Sequence, residues 1–273
     1  MIGSLQGKTI LLTGATSGIG LALARSLASS GSRLLIHGRN REKLSKVSGE
    51  LSASGAAVQS FVADLSSLKE TAGLAREAAE ACATLDILIN NAGVGFGRDG
   101  NKREVGKDGF ELRFAVNYLA PFLLTEELIA RGLPRLAVIN VASAGQDSLD
   151  FEDLMTESGY GGVQAYCRSK LALIMMSFDL AALHPELQVQ ALHPGTYLDT
   201  GMVREAGITP HGPVSRGVES ILSVLAAALG GGTSGQYFDQ SRPARALAQA
   251  YNSAARQELR EASLRLVAPW RSA

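Results

Sequence analysis

A chain of 273 residues, 46% of them hydrophobic, is ordinary for one α/β domain and can bury a large core. Its 26 basic and 26 acidic residues cancel, which removes the electrostatic case for nucleic acid or an anionic membrane surface. The two cysteines, Cys82 and Cys167, form neither a CxxC nor a disulfide framework, so no metal site is indicated and a reducing, cytoplasmic compartment suits them.

The start, MIGSLQGKT, lacks the apolar stretch of a signal peptide. KTILLTG, Lys8 to Gly14, is a short apolar run closed by glycine, as a buried strand should be. LALARSLASS has helical periodicity, with Gly31 placed to end it. RLLIHG reads as a strand, and Asn40 can cap the helix REKLSKVSGELSASG. VQSFVAD is strand-like again; Ser67 and Glu70 make a capping box for the helix through ETAGLAREAAEACA. LDILINNAG is a strand, and FELRFAVNYLAPFLLTEELIARG, Phe110 to Gly132, is one long helical pattern. Next come the strand RLAVINVAS, a helix around Tyr166, the strand LQVQALHPG and the helix RGVESILSVLAAALG, with Val218, Ile221, Leu222, Leu225 and Leu229 on one side. No apolar run approaches about 18 residues, so no integral membrane segment is expected. Unbroken alternation predicts one domain over residues 1–273, a mainly parallel sheet with helices on both faces. The segments expected to be mobile are Gly95 to Gly109 and Leu198 to Gly212.

TGATSGIG places Gly14, Gly18 and Gly20 between the first strand and the first helix. Glycines there permit a tight turn and close approach to a pyrophosphate, and the helix N-terminus offers free N–H groups. The spacing is not the common GxGxxG, and an ordinary glycine-rich turn is the plainer alternative. Tyr166 and Lys170 are four residues apart on a helix and so share a face. Alone, that pair is weak. A tyrosine does acid–base work near neutral pH only with a positive charge beside it.

TGxxxGxG, NNAG (Asn90 to Gly93), Asn117, Ser143 at a strand end, and Tyr166 with Lys170 occur in an order that resembles the short-chain dehydrogenase/reductase family across nearly the whole chain. DGFELRFAVNYLAPFLLTEEL, the long gap from Ser143 to Tyr166, and GQYFD are similar to its retinol dehydrogenase-like branch. The resemblance implies a Rossmann fold, a doubly wound parallel sheet of about seven strands. It implies a nicotinamide cofactor held by Gly14, Thr16, Ser17, Gly18, Ile19 and Gly20, by Arg39 and Asn40, by Asp64 and Leu65, by Asn91, Ala92 and Gly93, and by Pro194, Gly195 and Thr196, with Thr200 a weaker candidate. Asn91 would also tie strand ends together. The second strand ends HGRN, with Gly38 and Arg39 where NAD-selective sites usually place an acid. An arginine fork suits a 2′-phosphate, so NADP(H) is preferred, with NAD(H) left open.

The resemblance further implies that Tyr166 is the general acid/base and that Lys170, binding the ribose as well, lowers its pKa. Ser143 would orient the substrate oxygen, and Asn117 would support a water leading to Lys170. His193 more simply ends a strand, Cys167 points away from the site, and the stripe Leu171, Ile174, Met175 and Phe178 is packing. The substrate should meet loops near 145–162 and 196–214, with Tyr237. Their Met155, Tyr160, Tyr197, Met202 and Ile208 suggest a lipophilic carbonyl or alcohol. Two other readings share the fold: an NADP(H)-binding sensor or scaffold without turnover, disfavoured by the intact Ser143, Tyr166 and Lys170, and an epimerase or dehydratase, disfavoured by chain length. Such folds pair through surfaces matching Glu126 to Arg131 and Gly217 to Leu229, so a homodimer or homotetramer is open. Apolar helix faces also pack on their own sheet, and the sequence does not separate the two.

Overall fold

The strand segments alternate between two cores with a period of two residues. Ile10, Leu12, Ile87, Ile89, Ala137, Ile139 and Val141 enter one core, while Leu11, Leu88 and Val138 enter the other. Strands buried on both faces in this way belong to a parallel sheet covered on each side. The structure, a computed structural model, describes residues 5–97 and 99–272. The first four residues of the MIGSLQGKT start lie outside the described residues, as does Arg98 in the 95–109 segment.

In chain order the elements are β1 (Thr9–Leu12), α1 (Gly18–Ala28), β2 (Arg33–Gly38), α2 (Arg41–Ala53), β3 (Ala57–Val62), α3 (Leu68–Ala81) and β4 (Ile87–Asn90). There follow α4 (Leu112–Phe114), a π-turn (Ala115–Leu119), α5 (Ala120–Ile129), β5 (Ala137–Val141), α6 (Gly162–Leu183) and β6 (Gln188–His193). The chain continues through α7 (Gly201–Glu205), α8 (Val214–Leu229), β7 (Gln236–Asp239), β8 (Arg242–Ala244) and α9 (Ser253–Val267). The sheet order is β3-β2-β1-β4-β5-β6-β7-β8. All pairings are parallel except β7 with β8. The eighth strand exceeds the expected seven; it is an antiparallel edge strand containing Pro243, a residue that edges tolerate. Helices α1, α2 and α8 supply one core, and α3 and α5 the other. A third cluster joins α5, α6 and α9.

The winding reverses between β1 and β4, which opens a crevice beyond their C-terminal ends. Several local expectations hold. Asn40 caps α2 through its side chain, which accepts from Lys43 N–H at 2.8 Å. The capping box at α3 is half made: Ser67 Oγ accepts from Glu70 N–H at 3.3 Å, but Glu70 turns to the Asp64 N–H at 2.7 Å. The predicted helix from Phe110 to Gly132 is interrupted by the π-turn. Helix α9 and strand β8 lie beyond the elements predicted.

Part of each surface expected for pairing is engaged inside the chain. Arg260 donates to Glu126 at 2.9 and 3.1 Å, and Glu127 accepts from Ser272 and Arg131. The apolar side of α8 is buried against the sheet.

Candidate active site

The crevice is a cavity of about 830 Å³, within the size range of small-molecule and cofactor sites. One wall is the turn from β1 into α1. Gly14 has φ +71, and a Cβ there would lie 2.8 Å from Ala92 Cα, so only glycine lets the turn sit on the loop after β4. Thr13 Oγ1 accepts from the N–H groups of Asn91 and Ala92, each at 3.0 Å. Asn91 Nδ2 donates to the carbonyls of Thr13 and Gly14 at 2.9 and 3.3 Å. Asn91 thus ties the ends of β1 and β4, as expected. Gly14, Thr16, Ser17, Gly18, Ile19 and Gly20 line this wall, and Asn91, Ala92 and Gly93 line its floor. Ser17 is the N-cap of α1, with its hydroxyl making no capping bond.

The outer end of the crevice is lined by His37, Gly38, Arg39, Lys43, Asp64 and Leu65. Arg39 and Lys43 are both exposed there. A Cβ on Gly38 would meet Thr16 Cγ2 at 2.5 Å, so an acid cannot be placed at that position without moving Thr16. The Asp64 carboxylate accepts from Ser66 N–H at 3.0 Å and pairs with Lys107 at 3.3 Å. Burial opposes its ionisation, but those contacts outweigh burial and hold it below the usual carboxylate range. Asn40 does not line the crevice; its side chain is used as the α2 cap. His37 and Lys43 were missed from the sequence. The cations' i,i+4 spacing was visible, but not the crevice that makes it meaningful.

At the inner end, α6 brings Tyr166 and Lys170 into the same cavity. Lys170 is buried, donates to Val141 O at 2.9 Å, and lies 5.8 Å from the Tyr166 ring centroid. Burial lowers its pKa to about 8. Burial pushes the Tyr166 phenol up, and a hydrogen bond with Ser143 pulls it partly back. Ser143 follows β5, its Oγ accepting from Gly145 N–H at 3.0 Å. Its backbone carbonyl accepts from Tyr237 Oη at 3.0 Å. Tyr237 is buried behind Ser143, with burial pushing its pKa up to about 12, and so supports the site instead of meeting substrate. Asn117 sits in the π-turn. Its Oδ1 accepts from Val94 N–H at 2.8 Å, and Nδ2 donates to Val94 O and Ser169 Oγ, both at 3.0 Å. Both Nδ2 hydrogens are used within the protein, and Ser169 Oγ passes the connection on to Tyr166 O at 2.7 Å.

The loop after β6 is only partly as expected. Pro194 and Thr200 line the crevice, as do Met202, Arg204 and Glu205 of α7, but Gly195 and Thr196 do not. Thr196 Oγ1 instead meets His193 Nε2 at 3.0 Å. His193 ends β6 and is buried, so burial lowers its pKa. Cys167 lies close to Gly145, nearer the site than expected. Of the loop residues expected to meet substrate, Met155 packs against the α5–α6–α9 core, while Tyr197 is exposed and edge-on to His211. Tyr160 Oη accepts from Arg113 at 2.9 Å and donates to Glu111 at 3.1 Å.

Two neighbours escaped the sequence reading. Phe96 packs edge-on against Tyr166, centroids 4.8 Å apart at 83°. Arg113, only 1% exposed, donates to Gly95 O, Phe96 O, Tyr160, Glu111 and Glu104, and so fixes the segment that carries Phe96. Nothing in the spacing of these residues announces the network. Among the described residues no group of His, Cys, Asp or Glu could hold a metal ion. No described helix is long and apolar enough to cross a membrane.

Residues 8–210 match the family model described as short chain dehydrogenase. The chain is 36% identical over 198 residues to a Streptomyces sp. (strain C5) protein provisionally named daunorubicin C-13 ketoreductase, covering 71% of this chain and 67% of that one. It is also 36% identical over 211 residues to retinol dehydrogenase 14 of Mus musculus, covering 71% of this chain but 62% of the relative's length. Among solved structures, a Pseudomonas aeruginosa protein in an active-site complex with NADP superposes with TM-score 0.68 at 27% identity, covering 86% of this chain and 95% of that one. A glycine-cradled crevice at the switch point, with a tyrosine and a lysine at its inner end, agrees with these likenesses: the chain belongs to the short chain dehydrogenase family, whose members are nicotinamide-dependent oxidoreductases.

Proposed function

We propose that this chain is an NADP(H)-dependent oxidoreductase that interconverts lipophilic carbonyls and alcohols. The observation that carries the reading is the joining of two ends in one crevice: Arg39 and Lys43 at the outer end, Tyr166 and Lys170 at the inner end. The glycine turn and the cavity volume fit a dinucleotide lying between them. When bound, its nicotinamide supplies or accepts the hydride. Tyr166 gives its proton to the carbonyl oxygen in reduction and takes one from the alcohol in oxidation. Ser143 Oγ already accepts from Gly145, so its own hydrogen is available to the Tyr166 or substrate oxygen. Lys170 uses one N–H on Val141 O and has two more for a ribose hydroxyl and a proton path. Asn117 acts as a positioning residue, through Val94 on one side and Ser169 on the other. Phe96 beside Tyr166, with Met202 on the crevice wall, supports an apolar substrate side.

The test is a panel of apolar aldehydes, ketones and alcohols with NADPH and NADP⁺, read by nicotinamide absorbance. Turnover of neutral apolar members is expected. No turnover of any member, with cofactor bound, would favour a sensor without chemistry.

Cofactor choice has its own test. A charge-assisted contact to a phosphate is worth about 1.5–3 kcal/mol, so Arg39→Ala should weaken NADPH about ten- to a hundredfold. NADH lacks that phosphate and should change little. Calorimetric titration of both cofactors decides it. Equal affinity of wild type for NADH and NADPH, or equal loss of both in Arg39→Ala, would remove Arg39 as the selector.

A further inference from the structure

His37 is a buried side chain on the crevice wall that the chemistry above does not use. Both of its ring nitrogens are engaged. The Gly14 N–H donates to Nδ1 at 3.3 Å, and Nε2 lies 2.9 Å from Ala63 O. A backbone N–H can only donate and a carbonyl can only accept. Nδ1 must therefore carry the lone pair and Nε2 the hydrogen. Only one form of the ring satisfies both neighbours: the neutral Nε2–H tautomer. Adding a proton to Nδ1 sets two N–H groups against each other. Gly14 cannot retreat easily, because its turn is seated on Ala92 and tied by Asn91.

We infer that His37 is a positioning residue for the cofactor cradle, holding the Gly14 turn in its binding shape only while the imidazole is neutral, so that acid loosens the grip on the dinucleotide. The inference rests on the reading of the crevice as an NADP(H) site. Burial is the larger influence on the ring and keeps its pKa below the usual histidine range. The acid facing it, Asp64 beyond β3, pulls the other way and is itself paired with Lys107. The β1 turn presents backbone to the ring through Gly14, and Arg39 stands two positions along on its own strand's exit. The sign is definite. A ring whose pKa is lowered in the folded protein stays neutral through the usual histidine range, so its hold on Gly14 is intact at neutral pH and is lost only as pH falls through the ring's own lowered value.

Two substitutions separate the two ring contacts. His37→Asn keeps an acceptor near Nδ1 for the Gly14 N–H and cannot titrate. His37→Gln keeps a donor toward Ala63 O and leaves Gly14 without its acceptor. NADP⁺ affinity is measured by calorimetry at pH 7.5 and about one unit below the His37 pKa read from the ¹⁵N spectrum described below. A 2′-phosphate itself titrates near pH 6, so the decisive quantity is each protein's ratio of dissociation constants between the two pH values. The wild-type ratio should exceed that of His37→Asn by about three- to tenfold. At pH 7.5, His37→Gln should bind about tenfold more weakly than wild type, and His37→Asn should lose less. A ¹⁵N histidine spectrum of the wild type, which needs no variant to fold, should show Nδ1 unprotonated and a pKa below about 6.5. Equal pH ratios in wild type and His37→Asn, or a protonated Nδ1 at pH 7.5, would overturn the inference. Tight NADP⁺ binding with no such difference leaves the cofactor reading standing and removes only the role of His37. Failure of wild type to bind NADP⁺ or NAD⁺ at pH 7.5 would remove both.

Discussion

Tyr166→Phe is expected to cut kcat by about 10²- to 10⁴-fold, the range that a positioned general acid contributes. Cofactor affinity should stay within a few-fold of wild type. The ring keeps its contact with Phe96, and the hydroxyl that is lost bonds Ser143. Lys170→Ala should behave differently. It removes the donor to Val141 O and the cation held over the Tyr166 ring, so both turnover and cofactor binding should fall. Steady-state kinetics on any substrate found in the panel, with NADP⁺ calorimetry on each variant, separates the two. Near wild-type turnover in Tyr166→Phe would mean that another group handles the proton.

Arg113→Ala should lower stability by about 3–5 kcal/mol, as expected when one partner of a buried ion pair is removed. Arg113 and Glu111 each have side chains 1% exposed and lie 3.3 Å apart. Without the guanidinium, Glu111 stays buried, and the carbonyls of Gly95 and Phe96 lose their donors. Arg113→Lys should recover only part of the loss, because an ammonium cannot reproduce the planar fork. Urea unfolding of wild type, both Arg113 variants, Glu111→Gln and the Arg113→Ala/Glu111→Gln double variant measures the loss and the coupling. A loss under about 1 kcal/mol in Arg113→Ala would place the network among those of little net worth. The same variant should also reduce turnover, since Phe96 is held by these bonds and touches Tyr166.

What could be read from the chain was what is local. The strands announced themselves as runs of four to six residues, and the glycine turn as a break between strand and helix. Asn40 as a cap and Tyr166 beside Lys170 on a helix depend only on near neighbours. The rest depends on partners far along the chain. His37 matters because Gly14 and Ala63 meet it, 23 and 26 residues away. Arg113 reads as one more charged position in an amphipathic helix until Gly95, Phe96 and Tyr160 converge on it. Gly195 and Thr196 were assigned by motif position, but the loop turns Thr196 onto His193. Strand β8 contains Arg242 and Pro243 and carries no strand signal of its own. Helix α9 did leave a trace: Asn252 as a cap, and Ala255, Leu259, Ser263 and Val267 at four-residue intervals, all buried. Its many charged residues dilute that stripe.

Because the π-turn at Ala115–Leu119 holds one more residue than an α-helical turn, the two helical halves are out of phase by about 100°, the angle that one residue sweeps. Asn117 sits inside that slip, bonded to Val94 and Ser169. Deleting Ala115 is expected to close the turn to an α-helical one and to swing the Asn117 amide off both partners, while Val116, the residue of the turn that lines the crevice, stays in the chain. A one-position gap here, when this chain is lined up against other sequences, is therefore a difference in the crevice and not in a helix surface. Helical wheels drawn for the segment need a separate origin on each side of Asn117.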